Sequence, residues 1–511
     1  MADATHKARY DAQDWRRGFA VALALLLCAR LLALAWNATD LFYDEAQYWD
    51  WSRSADFGYY SKPPLIAWLI GLSTAICGAS EFCVRLPAPI LHALTAIAIF
   101  ALGQRLYDVR TGALAGLVYA TLPGVSVSSS LMSTDVPLLL AWAVAMWAFV
   151  SLVGPGPSQP RKWWPCVVLG LAVGIGLNAK YAMAWFVVCA AVYFVATPAS
   201  RWLLRDARLW SALALGGLLL LPNLAWNLAN GFATFAHTAD NANWQGDLFR
   251  PEKALAFVGA QFGVFGPFLF AGLLVVVWRA LRARLPEQDR LLLAFALPVL
   301  VFITAQAFVS RAHANWAAVS YVAASVLLVA TLVRDGSWGW LKASLGLNAL
   351  VLVAMMAATT LAGRMALPVV GDPMARALGW RAIAEATRAQ LEVARGDGRP
   401  FGAIVTDTRD MAASLSYYLR DEPTPLLAWQ HGQHARNHFE LTRPLRTGVR
   451  EPILLVTRMG ERSPVPTGFA VNRLLGQVAV SAGRKGRRII TFIALAGRQA
   501  KRVAAASGHD R

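Results

Sequence analysis

Charge is scarce in this chain. Only 15% of its 511 residues are charged, and acidic side chains are the rarer sign, 30 Asp and Glu against 48 Lys and Arg. With 57% apolar residues, so little charge excludes a soluble enzyme built on one large core and indicates a polytopic membrane protein. Cysteine is almost missing. Cys28, Cys77, Cys83, Cys166 and Cys189 lie in or beside apolar stretches without metal-ligand spacing, so they read as small hydrophobes and imply no disulfide framework. There is no solenoid-type repeat and no long linker. A small-residue cleavage site is also lacking after the basic stretch of Lys7, Arg9, Arg16 and Arg17, which predicts an uncleaved first helix with a cytoplasmic N-terminus over residues 1–17. A net charge of +18 would suit a nucleic-acid binder, but the positive residues fall mainly in short loops and in the C-terminal tail, which excludes nucleic acid as a partner.

What the chain does have is long apolar runs. Segments able to cross a hydrocarbon layer of roughly 30 Å occupy 18–36, 84–104, 111–130, 135–152, 163–178, 181–198, 209–226, 254–278, 291–309, 314–333 and 343–363, which predicts eleven spans. The stretch 65–80 is shorter, polar-interrupted and directly follows Pro63-Pro64. Were it a span, the later basic loops would point outward, so the positive-inside rule places it at the interface instead. That topology puts the loop 37–83, Asp135 and the loop 227–253 on one external face.

Beyond Gly363 the composition turns polar. Runs at 402–405, 452–456 and 489–493 read as short buried strands and 379–395 and 411–420 as helices, so residues 364–511 are expected to form a small external α/β domain after an all-α membrane domain at 18–363. Its tail carries Arg484, Lys485, Arg487, Arg488, Arg498, Lys501 and Arg502, suited to anionic membrane lipids or simply to water.

Several charged residues at the external ends of the spans are candidates for chemistry. Asp44-Glu45 follows the first span, and either carboxylate could be a general base, a metal ligand or a helix cap. Lys62, after Tyr60-Ser61 and before two prolines, could fix a phosphate or merely snorkel to the interface. Arg30 lies about six residues inside the first span, roughly 9 Å from its end, where a cation either snorkels to the interface or takes a functional partner such as a lipid phosphate or Asp44. Asp135 opens the fourth span and could cap it; Lys180 sits in a very short turn; His237, a lone histidine on an aromatic loop, is a further candidate metal ligand.

Taken in order, DEAQYW, YYSKPPLIAWLI, FCVRLPAPI, TDVP, NAKY and PNLAWNLANGFATF resemble the bacterial aminoarabinose-transferase-like branch of the GT-C glycosyltransferases, a superfamily that includes the protein O-mannosyltransferases. The resemblance covers about 20–330, with a weaker match around Ser416-Tyr417-Tyr418-Leu419. It implies a multi-pass enzyme of the bacterial inner membrane whose active site and C-terminal domain are periplasmic. The implied donor is a polyprenyl-phosphate-linked sugar, and the acceptor a lipid or glycan, lipid A or lipopolysaccharide core above all. Transfer would invert the anomeric centre. Asp44 would be the base or acceptor-orienting carboxylate with Glu45 in support, Asp135 the second acidic position, and Lys62 the donor-phosphate ligand assisted by Arg85 and Lys180, with Tyr60 and Arg30 also binding substrate. Some relatives place a glutamate before the lysine, where it shares a divalent metal with a loop histidine; here that residue is Ser61, a departure that argues against the same metal site. The competing reading, a transporter or flippase, would call for repeats and charges near the midplane.

Overall fold

The computed structural model describes residues 2–154, 162–242, 249–365, 372–432, 434–446, 448–459, 465–484 and 486–497. The chain divides into two compact units, one of Met1–Ala35, Lys62–Leu69 and Arg85–Ala357, the other of Trp36–Ser61, Ile70–Val84 and Ala358–Arg511. The first loop, apart from Lys62–Leu69, is thus grouped with the C-terminal segment.

The regular elements of the first unit are all helices among its described residues, and each predicted span is helical, though not always in one piece. Six helices are long and apolar enough to cross a bilayer: Asp11–Ala35, Glu81–Leu106, Asp135–Val153, Ala207–Ala229, Glu287–Val309 and Trp338–Thr360. Trp164–Ala179, Tyr181–Ala196 and Ser320–Arg334 are shorter apolar helices. Two expected spans are broken. The segment 111–130 stops at Leu122-Pro123 and restarts as Pro123–Ser128, because proline has no N–H for the preceding turn. The segment 254–278 bends by 117° between Pro251–Val264 and Pro267–Arg282. Gly266 sits at φ 91°, a conformation that a Cβ would strain, and Pro267 starts the next helix where no amide is needed. The helix Leu65–Cys77 has 13 residues. At 1.5 Å each they reach about 20 Å, less than the hydrocarbon thickness.

Packing explains the order of the helices. Gly112 lets Val109–Thr121 approach Pro87–Leu106 so closely that a Cβ there would lie 2.5 Å from the Phe100 carbonyl oxygen. Trp142, Phe149, Phe186 and Phe295 interlock edge-on or tilted in the core, with centroids 4.9 to 6.3 Å apart.

In the second unit five strands, β1 (Ile404–Thr406), β2 (Leu426–Ala428), β3 (Ile453–Thr457), β4 (Phe469–Ser481) and β5 (Arg487–Gly497), form one sheet in the order β2-β1-β3-β5-β4. β1 runs parallel to both β2 and β3, while β5 is antiparallel to β3 and to β4. β1 and β3 are buried at every residue, which is why they read as unbroken apolar runs. The helices Trp380–Gly396 and Arg409–Tyr418 lie where periodicity predicts them. β2 and β4 were not expected. The first is only three residues long, and the second has much of its surface exposed, so neither gives a clear apolar pattern. One further expectation fails: Cys77 and Cys83 form a disulfide. Folding places their Cα atoms 5.9 Å apart around the turn at Gly78, a proximity that spacing alone does not reveal. The tail residues Lys485, Arg498, Lys501 and Arg502 lie outside the described residues.

Candidate active site

In the second unit the acidic pair opens the helix Tyr43–Ser52. Phe42 is its N-cap residue, and Glu45, three positions on, reaches back so that its Oε2 accepts the Phe42 N–H at 2.9 Å. Glu45 is 1% exposed, so its cap fixes the first turn. Asp44 points differently. Its side chain is 35% exposed and its Oδ1 lies 2.9 Å from Nη1 of Arg409. The same guanidinium donates to Gln47 Oε1 and packs over the Tyr43 ring. Six residues beyond Asp44, Asp50 accepts both Arg443 Nη2 at 2.8 and 3.0 Å and Ser416 Oγ at 2.5 Å. The loop after this helix is held by aromatic packing: Tyr59 stacks on Trp51 at 4.7 Å and donates to the Trp51 carbonyl, while the Tyr60 hydroxyl donates to the Ala435 carbonyl.

Sequence reasoning missed Asp50, Arg409 and Arg443. The arginines are more than 350 residues from the helix they hold, and the only signal was the weak Ser416-Tyr417-Tyr418-Leu419 match. Those residues do pack on the first loop: Ser416 binds Asp50, Tyr417 meets Trp49 edge-on at 5.0 Å and donates to the Ala79 carbonyl, and the Tyr418 hydroxyl accepts the Leu41 N–H.

In the membrane unit the structure brings Asp135 and Lys180 together. Asp135 Oδ1 is 2.6 Å from Lys180 Nζ, and Oδ2 accepts Asn315 Nδ2 at 2.6 Å. Both charged side chains are largely buried. Lys180 breaks the helical run at φ −163°, between the helices ending at Ala179 and beginning at Tyr181. Its neighbours anchor the turn: Asn178 Nδ2 donates to the Leu219 carbonyl, and the Tyr181 hydroxyl donates to Asn223 Oδ1 and accepts from Asn227 Nδ2. Thus the NAKY and PNLAWNLANG segments share one buried polar network, and Tyr181 stacks on Phe235 at 4.9 Å.

Arg30 is 5% exposed and donates through Nη2 to the carbonyl of Ala120, near the end of the helix interrupted at Leu122. It therefore does not snorkel to the interface, and one partner is a helix C-terminal carbonyl, where a cation is favoured. Its Nε is buried without a partner. Lys62 is half-buried and Arg85 2% exposed. His237 lies on the helix Ala233–Ala242. Among the described residues, no three His, Cys, Asp or Glu side chains group as a metal would require.

Known proteins resemble this chain in sequence and in fold. The family described as dolichyl-phosphate-mannose-protein mannosyltransferase matches residues 61–226. The chain is 36% identical over 443 residues to the lipid A galacturonosyltransferase RgtD of Rhizobium johnstonii, an alignment covering 86% of this chain and 91% of that one. It is 30% identical to the undecaprenyl phosphate-alpha-4-amino-4-deoxy-L-arabinose arabinosyl transferase of Pseudomonas aeruginosa across 37% of this chain and 34% of that protein. The fold matches the crystal structure of ArnT from Cupriavidus metallidurans bound to undecaprenyl phosphate, at TM-score 0.59 and 17% identity, over 93% of this chain and 98% of that one. A helical membrane unit, a small mixed sheet and a full-length relative at this identity agree: the chain belongs to the aminoarabinose-transferase-like GT-C family and is a multi-pass membrane glycosyltransferase.

Proposed function

We propose that this enzyme transfers a sugar, a hexuronic acid by preference, from a polyprenyl phosphate to lipid A or the lipopolysaccharide core on the periplasmic side of the bacterial inner membrane. The observation that carries the reading is the match to a lipid A galacturonosyltransferase along nearly the whole chain. The basic loops on the predicted cytoplasmic side and the Cys77–Cys83 disulfide, at home in an oxidising compartment, support the location.

The chemistry assigned to the residues is an inverting displacement. Asp44 takes the proton of the acceptor hydroxyl as its oxygen attacks the anomeric carbon. The bond to the phosphate oxygen breaks on the opposite face and the lipid phosphate leaves. Lys62, Arg85 and Lys180 bind that phosphate and offset the charge that grows on it, which is where fixed cations lower a barrier most. Asp135 holds Lys180 in place. Glu45 fixes the turn carrying Asp44. Mass spectrometry of lipid A and core from a deletion strain tests the reading: loss of a hexuronic acid residue, restored by the wild-type gene but not by Asp44→Asn, is expected. An unchanged lipid A and core would overturn it.

A further inference from the structure

The sheet of the second unit has a feature the reaction has not used. β1 lies between β2 and β3, both parallel to it, so the chain leaves β1 for one neighbour and then crosses to the other. In open sheets of this kind ligands collect at the carboxyl ends of the strands, where the order reverses. Here those ends carry a row of polar and aromatic side chains. The register pairs Val405 with Leu427 and with Leu455, and two residues further on the same face it sets Trp429, Asp407 and Thr457 side by side. Thr457 Oγ1 donates to Asp407 Oδ2 at 2.5 Å. His431 lies 3.2 Å from the Asp407 carbonyl oxygen and 4.1 Å, centroid to centroid, from the Trp429 ring. The rim is open: His431, Arg458 and Met459 are exposed.

Asp407 is what makes this a site rather than a strand end. It is 7% exposed, and its Oδ1 has no hydrogen-bond partner among the described residues. Leaving a buried carboxylate oxygen unpaired is costly, and a ligand hydroxyl would remove that cost. Burial also pushes its carboxyl above the usual range. Charge argues against a phosphate. Arg409 is paired with Asp44 and Arg458 with Asp410, so neither of these two arginines is left over for an anion. A buried acceptor, an aromatic pair and already paired arginines suit the hydroxyls and apolar ring face of a pyranose. The connection to the reaction is short. Arg409 stands two residues beyond Asp407, at most about 7 Å along the chain, and its guanidinium binds Asp44.

We infer that the carboxyl edge of β1, β2 and β3 is a saccharide subsite for the acceptor, with Asp407 receiving a sugar hydroxyl and Trp429 and His431 facing the ring. This rests on the reading of Asp44 as the residue that handles the acceptor.

The test uses the full-length enzyme in lipid nanodiscs, with acceptor and donor varied separately. Asp407→Asn and His431→Ala should each raise the acceptor KM, about tenfold for Asp407→Asn, since a hydrogen bond to a charged group is worth roughly that factor or more. The donor KM and kcat should stay near wild type. His431 is exposed, so its variant decides the matter alone if Asp407→Asn fails to fold. Saturation-transfer NMR with the deacylated, dephosphorylated glucosamine disaccharide and no donor should show contact with wild type and lose it in the variants. Binding without any transfer by wild type would keep the subsite and overturn the proposed function. Unchanged acceptor KM in the folded variants, or no contact between wild type and the disaccharide, would overturn the subsite.

Discussion

Replacing Asp135 by asparagine would test whether this residue acts on substrate or on Lys180. The carboxylate and ammonium lie 2.6 Å apart, with side chains 10% and 18% exposed. At an effective dielectric of about 20 their gross attraction is about 6 kcal/mol. Part of that is lost in desolvating both groups, and breaking a buried pair from one side costs about 3–5 kcal/mol in the fully buried limit. Because Lys180 keeps some contact with solvent and Asn315 holds the second oxygen, about 2–3 kcal/mol of stability is expected to be lost in Asp135→Asn. The double variant Asp135→Asn/Lys180→Gln should recover most of this loss, giving a coupling energy above about 1 kcal/mol in a double-mutant cycle. The assay is reversible denaturant unfolding of purified protein, run beside donor KM and kcat. If Asp135 serves only to place Lys180, then Lys180→Gln alone and the double variant should transfer sugar at the same reduced rate. A coupling below about 0.5 kcal/mol, within the additivity of independent sites, would refute the pairing. A double variant far slower than Lys180→Gln would show that Asp135 has its own part in the chemistry.

Other consequences can be measured directly. Asp44→Asn should lower transfer by roughly a hundredfold or more while leaving expression intact; retention of more than about a tenth of wild-type rate would remove it from proton transfer. Lys62→Ala should weaken donor binding and slow transfer together, with Lys62→Arg intermediate because arginine keeps the charge but changes its geometry; wild-type behaviour of Lys62→Ala would leave only the snorkelling role. Cys77→Ser with Cys83→Ser should cost about 2 kcal/mol, the entropy of a loop this short, and alkylation of intact cells should find both thiols blocked in the wild type. His438 is pushed down to about 4, mainly by burial, with Asp50 opposing. It is neutral in the fold and protonates more readily unfolded, so its contribution is present above about 6.5 and is lost as pH falls toward 4, roughly 3 kcal/mol in all. His438→Gln should flatten this part of the stability profile between pH 7 and 4.5, and an unchanged slope would place the histidine in water.

What local physics controls was legible in the sequence. Apolar run length and the polarity change after Gly363 established a helical membrane domain followed by a small α/β domain, since a span needs only its own residues to satisfy its backbone. Ordered motifs likewise identified the family, and the buried runs marked β1, β3 and β5. Tertiary structure decided whatever depends on meetings between distant segments. The bend at Gly266 is written in two residues, yet its angle depends on packing. Arg409 and Arg443 look like ordinary surface arginines until folding sets them on Asp44 and Asp50. Lys180 and Asp135 are 45 residues apart in sequence, and each could have faced water. Cys77 and Cys83 became a disulfide only because a turn at Gly78 brings them within reach. Composition and periodicity report how each residue is solvated along its own helix or strand, whereas partners for charges and thiols are chosen by the fold, which no single-segment pattern encodes.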